Sequence, residues 1–183
     1  MKLFAVYLGG TVAKGQIEVH DVQFVAGERI EDCYQDLLAS WFGDLKGLHL
    51  DSVLHLDVVD HYQVTLTDGL ADNQGKALYY VNLGAYQPGV FGEYHEHVFL
   101  VADSAKEAKA RAKARIQHLF KPHKDALVDV DDCIELSQAN GLRIQLVPTT
   151  QASQQVPVND YHLVPEAEIN TYLERLANSA QMF

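Results

Sequence analysis

Two cysteines and five prolines stand in 183 residues, with one tryptophan and two methionines. So few cysteines exclude a disulfide framework, and a chain this long buries enough apolar surface to fold without staples. They point to a reducing compartment, so the expected location is cytoplasmic. No apolar run approaches the ~20 residues of a membrane-spanning helix. The opening MKLFAVYLGGTVAKG alternates rather than forming the apolar stretch of a signal peptide. No membrane partner is expected. Basic residues are scarce as well: 14 Lys+Arg face 25 Asp+Glu, for a net charge of −11. Such a chain is repelled by bulk nucleic acid, which is therefore not an expected partner. The motifs of familiar chemistry are missing too. There is no G-x-S-x-G, H-E-x-x-H or C-x-x-C, and the glycines follow neither Walker nor G-x-G-x-x-G spacing. What remains, 48% hydrophobic and 21% charged, is the composition of an ordinary folded protein.

The chain repeats itself. Shifted by 75 residues, LFAVYLGG (3–10) falls on LYYVNLGA (78–85), and EVHDVQFVAG (18–27) on EYHEHVFLVA (93–102). Leu3/Leu78, Val6/Val81, Leu8/Leu83, Gly9/Gly84, Glu18/Glu93, His20/His95 and Phe24/Phe99 are identical pairs without a gap. The stripe Ile30, Cys33, Leu37, Trp41 lands on Ala105, Ala108, Ala112, Ile116, a helical spacing in both copies. Beyond it a one-residue deletion sets 51–57 on 125–131. About six extra residues then bring Tyr62–Leu66 onto Leu142–Leu146.

Each copy reads strand, strand, helix, strand, strand. The first has strands near 2–8, 18–26, 52–59 and 61–67 with a helix at 28–42. The second has strands near 77–83, 93–102, 126–134 and 142–147 with a helix at 104–120. The expected fold is α+β: two tandem ββαββ repeats related by pseudo-twofold symmetry, mainly antiparallel sheet with helices packed on it, plus a C-terminal helix. Residues 1–69 form the first repeat and 77–147 the second, both expected in one compact domain. Residues 148–160, polar and without period, read as a tether, and 161–183 as the C-terminal helix, opened by Pro165. The LGG and LGA turns, each followed by E-x-H and an apolar strand, resemble the uncharacterised family called domain of unknown function 1543. That resemblance covers roughly 2–67 and 77–147. It implies one or two copies per chain and no known activity, so no catalytic residue comes with it.

The sharpest polar feature is Glu18-x-His20 and its twin Glu93-x-His95. On a strand, residues two apart share a face, which continues as Val22, Phe24, Ala26 in the first copy and His97, Phe99, Val101 in the second. Glu18, His20, Glu93, His95 and His97 are therefore the candidate ligand-binding residues. Three readings stand. Each carboxylate holds buried amides of the turn at Gly9 or Gly84, with His satisfying it. Alternatively the pairs contact a ligand, or Glu93-x-His95-x-His97 offers metal donors. Val22 replaces the third donor in the first copy, so no metal and no cofactor are assigned.

The acidic run Asp125, Asp129, Asp131, Asp132, Glu135 alternates with apolar residues and lacks the EF-hand Gly and Glu, so it reads as a solvated strand edge. Cys33 and Cys133 read as packing residues. Residues 104–124 hold seven of the 14 Lys+Arg and one acid, whereas the matching helix carries Glu28, Glu31, Asp32 and Asp36 against Arg29. Acidic helix 28–42 against basic helix 104–120 makes the chain itself a candidate partner. The expected function is a non-enzymatic ligand-binding or protein-interaction scaffold. The alternative is a small hydrolase or isomerase using the Glu/His pairs as acid and base.

Overall fold

A computed structural model describes residues 1–86, 89–116 and 128–180. The first copy supplies β1 (Lys2–Gly10), β2 (Val19–Gly27), a 3-10 turn at Ile30–Cys33 leading into α1 (Tyr34–Ser40), then β3 (His49–His55), β4 (Val58–Val59) and β5 (Tyr62–Thr67). The second supplies β6 (Ala77–Ala85), β7 (Tyr94–Ala102), α2 (Ala105–Ile116), β8 (Val128–Leu136), β9 (Gln138–Ala139) and β10 (Leu142–Pro148). Then come β11 (Val158–Leu163) and α3 (Glu166–Ala180). The fold is a sheet-dominated α+β fold built from two like copies.

In each copy the first strand is central: β1 lies between β2 and β3, and β6 between β7 and β8, all antiparallel. The fourth strands do not join these sheets. β5 pairs with β10 instead, so each copy contributes its last strand to a shared ribbon. β11 adds a fourth strand against β3, for an order of β11-β3-β1-β2.

Two compact units result, and they do not follow the copy boundaries. One comprises residues 1–57, 139–142 and 154–183; the other comprises 58–138 and 143–153. In the first, Val6, Leu8, Val25, Leu37, Leu38, Trp41, Leu48 and Leu50 close a core, with Ile169 and Tyr172 of α3 packed on it. In the second, Val81, Leu83 and Leu100 pack beneath Ala108 and Ala112 of α2. Small side chains on a strong helix former let α2 lie close to its sheet.

The turns of the two last hairpins are exchanged. Within the second unit, Asp60 of the β4–β5 turn accepts a hydrogen bond from Val101 N–H at 3.0 Å and pairs with Arg111 at 2.6 Å and with Arg115. Within the first, Asn140 accepts one from Ala26 N–H at 2.8 Å and donates to Asp36. Ala26 and Val101 are equivalent positions, as are Asp60 and Asn140. Both turn residues have left-handed φ, 49° and 50°, which Asp and Asn tolerate better than most side chains.

Four expectations are corrected. The first helix is not 28–42 but a 3-10 turn and a seven-residue α-helix, closed where Trp41 turns extended and its indole N–H donates to Asp44 O at 3.1 Å. The tether proposed at 148–160 ends in β11, and the helix proposed from 161 begins after Pro165 at Glu166. The pairing of 51–57 with 125–131 is replaced as well. Gly9 faces His49 whereas Gly84 faces Asp129, so β3 and β8 are offset by 80. The five extra residues thus all precede β8. The end of the helix expected at 104–120, and Lys121, Lys124 and Asp125, lie outside the described residues. No described helix is long and apolar enough to cross a membrane.

Candidate functional site

Val6 and Leu8 of β1 point into the core, so Gly9 belongs to the opposite face. Directly across from Gly9 lie His20 on β2 and His49 on β3. Opposed residues of antiparallel strands share a face, so two imidazoles lean over a residue with no side chain. A Cβ at position 9 would stand 2.5 Å from His49 Nε2 and 2.6 Å from Asp51 Oδ2, which only glycine avoids.

Asp51 arrives by a β-bulge. Leu8 pairs with Leu50 and Tyr7 with Ser52, leaving Asp51 as the extra residue. A bulge of this kind re-aims a side chain, and here it brings the carboxylate to the histidines. His20 Nε2 lies 3.1 Å from Glu18 Oε1 and 3.2 Å from Asp51 Oδ2. His49 Nε2 lies 3.4 Å from Glu18 Oε1 and from Asp51 Oδ1.

Burial differs sharply across this group. Glu18 and His20 are about two-fifths exposed, whereas His49 is 1% exposed. His49 is covered by Tyr161 of β11, whose ring centroid is 4.2 Å away. Its Nδ1 is 2.9 Å from Gly47 O, a group that can only accept, so Nδ1 donates there. Nε2 faces the two carboxylates and completes no hydrogen bond; nor does Asp51 Oδ2. Tyr7 stacks on His20 at 5.0 Å, and burial, then Asp51, pushes its phenol above the ordinary range.

The second unit repeats the plan. Gly84 lies across from His95, a bulge between Asn82 and Leu83 leaves Asp131 extra, and a Cβ on Gly84 would strike Glu93 and Asp131. His95 Nε2 is 3.7 Å from Glu93 and 3.5 Å from Asp131. Tyr86, beside Glu93, has its phenol raised by that carboxylate first and then by slight burial. The position of His49 is taken by Asp129, an exposed carboxylate bound to Lys113 at 2.8 Å.

Glu18 with His20, and Glu93 with His95, thus come together as the sequence pairs them. His97 does not join: its Nδ1 bonds the Tyr80 hydroxyl at 2.8 Å, and burial lowers its pKa. Among the described residues no backbone amide donates a hydrogen bond to Glu18 or Glu93. Asp51, Asp131 and His49 escaped the sequence reading, and Asp131 had been placed at a solvated edge. Their signal was the alternation His49-x-Asp51 against Asp129-x-Asp131, visible only at the offset of 80. Among the described residues, Glu18/His20/Asp51 and Glu93/His95/Asp131 have donor atoms close enough to hold a metal ion, each set within 4.8 Å.

The model of the family Domain of Unknown Function (DUF1543) matches residues 15–66 and 91–146, which contain every residue of both clusters. The chain belongs to the DUF1543 family. It carries two tandem copies of the domain. It is also similar to the crystal structure of the protein Il1583 from Idiomarina loihiensis, with 37% identity and a TM-score of 0.72 over 90% of this chain and 98% of that one. No curated protein matches the chain. Membership of DUF1543 brings no named activity, so the chemistry rests on the two clusters themselves.

Proposed function

We propose that this protein is a binding scaffold in which each unit holds a cationic ligand through its Glu–His–Asp cluster. The observation that supports this most is the recurrence of one geometry, Gly9/Glu18/His20/Asp51 and Gly84/Glu93/His95/Asp131, with a bulge at the same place in both sheets. Fold maintenance alone does not require an aspartate at each bulge. Two carboxylates around a partly exposed imidazole attract positive charge and repel anions. Binding is favoured over acid–base turnover by a small hydrolase or isomerase because both carboxylates of each cluster are set on one imidazole nitrogen, which suits holding a cation, and neither thiol lies in a cluster. Cys33 lies in the first core, where burial pushes its thiol up to about 11, and burial raises Cys133 on β8 as well.

A thermal-shift screen tests the reading, using divalent metal ions, polyamines and amino sugars, with phosphate and dicarboxylates as anionic controls. A cation at 100 times its Kd should add about 2.7 kcal/mol, or roughly 5–10 °C for a chain of this size. The shift should vanish when Glu18, Asp51, Glu93 and Asp131 are changed to their amides. Stabilisation by the anions alone, or a shift untouched by the four substitutions, would refute it.

A further inference from the structure

The two clusters are alike in plan and unlike in their fourth corner, and the difference names a ligand. We infer that Glu18, His20, His49 and Asp51 form a four-ligand site for a divalent transition-metal ion of the zinc type, while the cluster of the second unit does not. The inference rests on reading the first cluster as a cation site, and deepens it.

The spacing is the first ground. Metal–nitrogen and metal–oxygen bonds of about 2.0–2.1 Å around a tetrahedral ion set donor atoms about 3.3–3.4 Å apart. The four imidazole–carboxylate edges here measure 3.1, 3.2, 3.4 and 3.4 Å. Donor atoms of Glu18, His20 and Asp51 lie within 4.8 Å of one another, and His49 Nε2 stands 3.4 Å from one oxygen of each carboxylate, Asp51 turning Oδ2 to His20 and Oδ1 to His49.

His49 is the second and independent ground. It is buried to 1% exposure, and its Nε2 is aimed at two carboxylate oxygens without completing a hydrogen bond. A buried ring nitrogen set between two carboxylate oxygens without a completed hydrogen bond is an arrangement that a bound cation relieves. The opposite ring nitrogen is fixed on Gly47 O, as metal-binding histidines are commonly held by a backbone carbonyl or carboxylate. Gly9 leaves the space in front of Nε2 clear. Two imidazoles with two carboxylates suit zinc, cobalt, manganese or iron(II), and a 2+ ion balances the two carboxylate charges. Calcium and magnesium, which favour all-oxygen shells, are disfavoured.

The second unit keeps the glycine but lacks the short spacing and the buried histidine. Its edges widen to 3.5 and 3.7 Å, its members are partly exposed, and Asp129 in place of His49 turns to Lys113. Three loosely spaced, solvated donors make a weaker cation site.

The test is a titration of chelator-treated protein with Zn²⁺, in competition with a chromophoric indicator, and with Co²⁺ followed by its visible ligand-field bands. One ion per chain should bind tightly, with the intense bands of four-coordinate cobalt. Losing a ligand should cost at least the ~10–100-fold typical of losing a mere outer-shell partner. His49→Ala and His20→Ala should therefore each weaken binding by ~100-fold or more; His20, being partly exposed, gives the answer if His49→Ala does not fold. Glu93→Gln with Asp131→Asn should leave the tight site unchanged, and Ca²⁺ and Mg²⁺ should not compete. Absence of stoichiometric Zn²⁺, Co²⁺ or Mn²⁺ binding would overturn the inference, as would binding indifferent to His20→Ala. If polyamines still stabilise the protein while these metals do not, cation binding stands and the metal site falls. If neither acts, both fall.

Discussion

Replacing Asp60 by glycine should cost about 2–4 kcal/mol, and replacing it by asparagine less than half as much. The carboxylate is 18% exposed and does two jobs within the second unit. It accepts the Val101 N–H at 3.0 Å, and it pairs with Arg111 and Arg115. Removing it strands a part-buried backbone donor, a loss of about 1–3 kcal/mol. The two arginines are 37% and 42% exposed, so each pair adds at most about 1 kcal/mol. Each arginine also keeps a backbone carbonyl, Val101 O for Arg111 and Phe99 O for Arg115. Asparagine keeps an acceptor for Val101, as Asn140 does for Ala26 at the equivalent turn, and loses only the ion pairs. Glycine and asparagine both accept the φ of 49°, whereas alanine would add about 1 kcal/mol of left-handed strain. Urea unfolding followed by far-UV circular dichroism measures the three stabilities, with unchanged m-values as the control. High salt should shrink both deficits by about the same amount, and the smaller asparagine deficit therefore by the larger fraction. Equal losses for the two variants would show that the Val101 bond contributes little and that charge alone holds the hairpin.

Two further outcomes are expected. Burial beside Phe4, assisted by Lys2 and opposed by Asp57, lowers the His55 pKa below its ordinary 6.5. The folded state then binds this proton less readily than the unfolded one, so its contribution is complete above pH 6.5 and is lost as pH falls toward the folded pKa. Denaturation midpoints between pH 7 and 5.5 should fall less steeply in His55→Gln, and identical slopes would contradict the assignment. Pairing of acidic helix with basic helix between copies should respond to salt, since screening shortens to about 8 Å at physiological ionic strength. Because Arg111 and Arg115 are already engaged with Asp60, light scattering should find a monomer at low salt, and a salt-sensitive dimer would refute that expectation.

The duplication was legible because its carriers are local. Leu8/Leu83 and Gly9/Gly84 repeat in register, and the apolar stripe through Cys33 and Leu37 recurs at Ala108 and Ala112, so strands and helices fell near their places. β11 was not legible. All six of its residues are exposed, and it is held by its backbone, the Ser52–Asn159 bond and the rings of Tyr161 and His162 against His49 and Tyr34, leaving no apolar alternation to read. The pairing of β5 with β10 was hidden for another reason: both strands alternate normally, and alternation does not name a partner some 80 residues away. The cluster was half visible. Glu18-x-His20 is a spacing, and a spacing survives in sequence. Asp51 reaches it through a bulge, which has no code of its own, and the extra residues before β8 displaced the match that would have paired Asp51 with Asp131.

The difference between the two clusters follows from the one strand that the duplication does not supply. The second unit has a three-stranded sheet, β7-β6-β8, whose outer strand β8 leaves Asp129 to solvent and Lys113. In the first unit β11 runs along β3, pairing Leu163 with His49, and Tyr161 covers the imidazole. A carboxylate at position 49 would be enclosed with Glu18 and Asp51 close by, where a third negative charge is strongly disfavoured. Under that cover a histidine, which adds no negative charge, is the donor that can remain, with its far nitrogen held by Gly47. At position 129, open to water, a carboxylate costs little and finds a lysine. The added strand thus fixes which side chain each site tolerates at this corner. A frame that the duplication made twice thereby becomes one cluster with a buried corner and one open at that corner.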